Sequence, residues 1–168
     1  MCIMVPTQNI VGLISAAILT DLIVIGEVIA GIIQSKSLKQ WYNLYGLAGV
    51  LADVLSLVIG VLTAAFLYPM LFSKYNLVYF IGLAVLVQFA HDILFALFFL
   101  GVPRGKSRIL DTFKDYAKEN GYTILLADAA MIVSTILIST FLQGFSQSMN
   151  NGVLIVLLYL VPYFLYSI

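Results

Sequence analysis

Leu77–Val102 reads LVYFIGLAVLVQFAHDILFALFFLGV, with no Lys or Arg and a single acid, Asp92. A membrane helix needs about 20 mainly apolar residues, so this run is long enough to cross a bilayer. Gln88, His91 and Asp92 nevertheless stand inside it, spaced i, i+3, i+4 and therefore on one helix face. Phe89, Phe95 and Phe99 are expected to project elsewhere.

Outward from this run, Ile10–Ile33, Leu44–Leu67 and Tyr122–Phe145 satisfy the same length criterion. Gly152–Ile168 is shorter, and Pro162 can kink it or bring it to the interface. The expected fold is all-α: a single polytopic transmembrane helix bundle over residues 1–168, with spans 10–33, 44–67, 77–102, 122–145 and 152–168. The alternative is four spans plus a short C-terminal interfacial helix. Composition agrees: apolar residues make up 62% and charged residues 10% of the chain, whereas a soluble domain carries about 25% charged residues. Mean hydropathy is +1.09. Disorder and a disulfide scaffold are excluded, the latter because Cys2 is the one cysteine. The first run has no basic residue before it and is too long for a signal-peptide core, so no cleavage is expected.

The eight basic and eight acidic residues cancel, but they are placed differently. All the basic residues lie between the apolar runs. Lys36 and Lys39 fall in the first loop, and Arg104, Lys106, Arg108, Lys114 and Lys118 in the third. Those two loops share one side, and the other side has only Lys74. By the positive-inside rule the N-terminus is expected outside and the C-terminus in the cytoplasm. Trp41, Tyr42 and Tyr45 suit the inner interface; Tyr68, Phe72, Tyr75 and Tyr79 suit the outer one.

The third loop contains one further helix, expected over 107–120. Pro103 ends the span before it and Gly121 stops it. Ile109, Leu110, Phe113, Tyr116 and Ala117 form its apolar face. It reads as an amphipathic cytoplasmic linker in the headgroup plane, with Arg104, Lys106 and Arg108 placed to hold anionic lipid. The basic residues are too few and too interleaved with acids for nucleic acid.

Asp21, Glu27, Asp53, Asp92 and Asp128 lie inside the apolar runs, and no intramembrane Lys or Arg neutralises them. An ionised group at mid-bilayer costs roughly 2.5–3.5 kcal/mol on insertion scales. The acids must therefore be protonated, hydrated in a cavity, bound to a cation, or turned to another subunit. Counted at 1.5 Å per residue, they and His91 lie roughly 9–18 Å from the cytoplasmic end. This suggests one polar site in the cytoplasmic half, made by Asp53, Gln88, His91, Asp92, Asp128, Glu27 and Asp21. Thr20 and Glu27 share a face. Asp21 and Glu27 differ by about 120° around the helix, so one of them is expected to serve a subunit contact in a homo-oligomer.

Carboxylates with one imidazole suit a proton or a hard cation. Any metal would be held by Asp53, His91, Asp92 and Asp128, and no organic cofactor is implied. Retinal lacks an intramembrane Lys, and no serine sits in a nucleophile elbow. Three functions follow in order: a proton- or cation-handling transporter or channel; a structural or assembly protein whose acids bond helix to helix, at about 0.6 kcal/mol each; and, behind these, an enzyme acting on a membrane lipid.

The run His91–Asp92–Ile93–Leu94–Phe95, followed by Pro103–Arg104–Gly105, by Ile109 to Glu119 (ILDTFKDYAKE) and by Asp128, resembles multi-spanning membrane proteins of giant (nucleocytoplasmic large) DNA viruses. A weaker similarity surrounds Ala52–Asp53. The resemblance implies a viral protein in a host-derived or virion membrane, and implies no reaction.

The asymmetry of the basic residues makes a prediction. A tag on the C-terminus is expected to be reached only after permeabilisation, while Cys2 is labelled from outside by an impermeant maleimide. The opposite pattern would reverse the orientation.

Overall fold

The computed structural model describes residues 9–168; Cys2, and the labelling expected of it, lies outside them. The described residues are α-helical and contain no strand. The seven helices are α1 (Ile10–Ile29), α2 (Lys36–Tyr45), α3 (Leu47–Leu71), α4 (Leu77–Gly101), α5 (Arg108–Asn120), α6 (Thr123–Leu142) and α7 (Gln147–Leu165). Five of them, α1, α3, α4, α6 and α7, are long and apolar enough to cross a membrane.

α1, α3, α4 and α6 form a ring in which each packs on the next, and α7 lies outside it against α1. α1 is thus enclosed by α3, α6 and α7, and Leu13, Ala16, Ala17 and Ile25 on it are fully buried. Small residues allow close approach elsewhere: a methyl group on Gly60 would lie 3.2 Å from Ile132 and 3.4 Å from Gln88, so α3 meets α4 and α6 there with no room to spare.

The ends of the spans differ from the hydropathy limits for identifiable reasons. α1 stops at Ile29 because Gly31 takes a positive φ of 73° and closes a Schellman turn. In that turn Ile32 N–H donates to the Glu27 carbonyl and Gly31 N–H to the Val28 carbonyl. α6 stops at Leu142, where Gly144 and Phe145 turn back on Phe141 and Leu142. α7 starts at Gln147, five residues earlier than hydropathy suggests, because Ser146 caps it and Asn150 donates to the Leu142 and Phe145 carbonyls at the end of α6. α7 is thereby long and apolar enough to be a fifth span, and Pro162 lies inside it. At the opposite end of the bundle from α2 and α5, Tyr68 is turned inward. Its hydroxyl accepts from Asn76 N–H at 2.9 Å, and Phe72, Tyr75 and Phe80 pack around it.

α2 is absent from the hydropathy pattern, which assigns its residues to a loop and to the start of the second span. Gly46, with φ 52° and ψ −128°, allows the sharp turn between α2 and α3. α2 and α5 pack together, α2 on α3 and α5 on α4 and α6, so the two form a cap over one end of the ring. The cap is closed by the start of α2. Ser35 accepts from Leu38 N–H, while the two oxygens of Glu119, from the far end of α5, accept from Lys36 and Ser37 N–H at 2.6 and 2.8 Å. Three of the four unpaired donors at the start of α2 are thus satisfied, two of them by another helix. Thr112 meets the Tyr45 hydroxyl at 3.0 Å, and Phe113 packs on Trp41.

Hydrogen bonds from Ser37, and then from Lys36, hold Glu119 below the usual glutamate range against a small desolvation cost. A carboxylate lowered on folding contributes stability that is complete above its ordinary value of 4.5 and is lost as pH falls through the lowered one. Amide exchange at Lys36 and Ser37, corrected for intrinsic rate, should therefore lose protection on acidification below that value. In Glu119→Gln it should be weaker and flat with pH; a variant that keeps the wild-type profile would detach Glu119 from the cap.

Candidate functional site: an acidic cavity beneath the cap

A cavity of about 970 Å³ lies between the ring and the cap. Glu27 of α1, Asp53 of α3, Gln88, His91 and Asp92 of α4 and Asp128 of α6 all line it. The acids come from all four ring helices, and among the described residues no Lys or Arg lines the space. The apolar face of α5, Ile109, Leu110, Phe113, Tyr116 and Ala117, forms the roof. That face was expected to lie on lipid headgroups; the structure turns it onto the cavity, because α5 is held by α2 on one side and by α4 and α6 on the other.

Each acid has a different environment. Asp92 Oδ1 accepts from Gln88 Nε2 at 2.8 Å and meets His91 Nδ1 at 3.1 Å. Its Oδ2 is buried with no protein partner. The His91 side chain is 52% exposed at the rim and stacks on Phe95. Asp53 accepts from Trp41 Nε1 at 2.9 Å. Gly49, one turn before Asp53, makes room for that indole: a methyl group there would lie 3.1 Å from Trp41 Nε1. Trp41 is held from the other side by Tyr45 and Phe113.

Two expectations, for Asp21 and for the phenylalanines of α4, are corrected. Asp21 does not line the cavity and makes no outward contact that would join subunits. It is fully buried, and Oδ1 accepts from the Tyr42 hydroxyl at 2.8 Å. The carboxylate turns toward α2. Phe95 and Phe99 share the cavity wall with Gln88, His91 and Asp92; Phe95 is one turn beyond His91, which returns it to the same face. Arg104 is exposed but bonded to Asp115 at 2.6 Å, and Arg108 lies 5.7 Å over the Tyr45 ring. Their charge is partly used within the protein, and Lys106 remains exposed.

Asp53, His91, Asp92 and Asp128 share one cavity without converging. Among the described residues no three His, Cys, Asp or Glu side chains come together as ligands for a metal ion. The helices hold them on separate walls, with Asp53 drawn toward Trp41 and Asp92 toward Gln88.

The cap contributes groups that the span-by-span analysis omitted. Trp41 and Tyr42, expected as interfacial aromatics, are 5% and 2% exposed. Burial pushes the Tyr42 hydroxyl well above the ordinary tyrosine range, and Asp21 and then Asp53 push it further. Tyr116 is raised in the same way, by burial first and then by Asp128, Asp53 and Glu119. Both phenols therefore stay protonated and available as donors beside the acids. A signal for this module existed: Leu38, Trp41, Tyr42 and Tyr45 follow the i, i+3, i+4, i+7 pattern of an amphipathic helix.

Gly49→Val should displace the indole from Asp53. The expected cost is about 1–3 kcal/mol of stability, typical of an overpacked core, with a red-shifted emission from Trp41, the protein's one tryptophan. Gly82→Ala, where the added group meets nothing within 4 Å, is the control. Equal melting temperatures for the two variants would contradict the close fit.

Comparison of the chain with protein-family models, with curated proteins and with solved structures gives no match.

Proposed function

We propose that this multi-pass membrane protein binds protons or cations in the cavity and passes them toward the capped side, the cytoplasmic one in the orientation expected from the positive-inside rule. The observation that carries this function is that four carboxylates from four helices line one space to which, among the described residues, no Lys or Arg contributes. Their combined field favours a cation in a low-dielectric setting. Asp92 supports it further, since its Oδ2 is a buried acceptor with no protein donor.

A structural role is favoured for two of the acids. Asp21 accepts from Tyr42 and Asp53 from Trp41, and both donors belong to α2. These carboxylates fasten the cap to the ring, and Glu27, Asp92 and Asp128 are left for cation handling.

In reconstituted vesicles containing a pH or cation indicator, the wild type should dissipate an imposed gradient. Asp92→Asn and Asp128→Asn should keep the helical content and lower the flux about tenfold or more. Asp21→Asn should act mainly on melting temperature. A wild type that is silent over a wide range of pH and voltage, with several cations, would leave the acids only a structural role.

A further inference from the structure

We propose that the ligand of the cavity is an amphiphilic organic ammonium, a protonated amine on a hydrocarbon chain, entering from the adjoining lipid leaflet. The proposal rests on the cation-binding function and specifies its chemistry.

Size is the first argument. About 970 Å³ is at the upper end of ligand pockets, which span roughly 300–1,000 Å³, and far exceeds what a bare ion occupies. A dehydrated inorganic cation needs several oxygen ligands at once, and no such set converges among the described residues. An ammonium needs less: one carboxylate acceptor, with aromatic faces nearby to share the charge. Asp92, on the cavity wall, supplies such a carboxylate, and Trp41 and Phe113 supply aromatic walls.

The second argument is the character of the rest of the wall. Ile93, Phe95, Phe99, Leu57, Ile109 and Leu110 all line it and would bury a hydrocarbon chain. The third is access. Ile23 and Ile93 line the cavity and are 48% and 55% exposed, so the wall includes accessible apolar side chains at the depth of the spans, where a lipid-dissolved molecule would arrive. Charge selects among amphiphiles: the lining carries carboxylates and no Lys or Arg, which disfavours a phosphate or carboxylate headgroup.

The test uses the full chain in nanodiscs of neutral lipid, with empty discs subtracted, and reads Trp41 fluorescence and melting temperature. The probes are dodecylamine, dodecanol, dodecanoate, ethylammonium and potassium. Saturable binding of dodecylamine, at least tenfold tighter than dodecanol and absent for dodecanoate, is expected. Asp92→Asn should weaken it about tenfold. Ala96→Phe, at a residue that lines the cavity, narrows the space and leaves every acid in place, and should weaken dodecylamine binding about tenfold. It also serves if Asp92→Asn fails to fold. Equal binding of dodecanol and dodecylamine, or binding of dodecanoate, overturns the proposal. Ethylammonium or potassium binding as tightly as dodecylamine overturns it while the cation-binding function stands. Failure of every cation to bind, together with a silent vesicle assay, removes both.

Discussion

A carboxylate within the hydrocarbon of a bilayer must find a donor or a partner charge, and these spans carry no Lys or Arg to supply one. Much of the arrangement follows from that constraint. Trp41 and Tyr42 reach back from α2 to Asp53 and Asp21, so the acids of the ring decide where the cap docks. Gly49 is small because the indole must pass it to reach Asp53. The docked α2 in turn gives α5 a surface, and α5 roofs the cavity. Breaking a cap–acid bond would leave a buried acceptor without its donor, the more costly half of any hydrogen-bond exchange.

How much was legible in the sequence divides along physical lines. Long apolar runs are governed by bilayer thickness and helix rise alone, which is why Leu77–Gly101 lies almost where hydropathy puts it. Helix ends obey capping chemistry instead, and hydropathy is blind to it. Gly31 shortens α1, and Asn150 draws polar residues into α7, without changing the mean apolar character of either segment. α2 was hidden for a related reason. Its tryptophan and tyrosines are as well suited to a membrane interface as to a helix face, and only their spacing separates the two.

The candidate site shows the same division. The depth of the acids follows from counting along each span, and Glu27, Asp53, Asp92 and Asp128 do face one space. Direction around the helix is less certain from counting. Asp21 is one residue beyond Thr20, yet Thr20 borders the cavity and bonds to Thr135, while Asp21 turns to α2. Phe95 lies on the wall it was expected to avoid. Which groups a wall contains depends on which helices are neighbours, and that is a property of tertiary packing with no local signature.

The bond from Glu119 to the start of α2 also bears on the order of biosynthesis. The two ends of that contact are 83 residues apart, with α3 and α4 between them. At cellular rates of about 5–20 residues per second, Lys36 precedes its acceptor by on the order of ten seconds. Trp41 and Asp53, by contrast, are only 12 residues apart and can meet as soon as α3 is inserted. The nascent chain thus shields Asp53 locally and early. Its roof forms only once α5 has left the ribosome, so during that interval the inner surface of the half-made bundle is open to membrane insertion factors and chaperones.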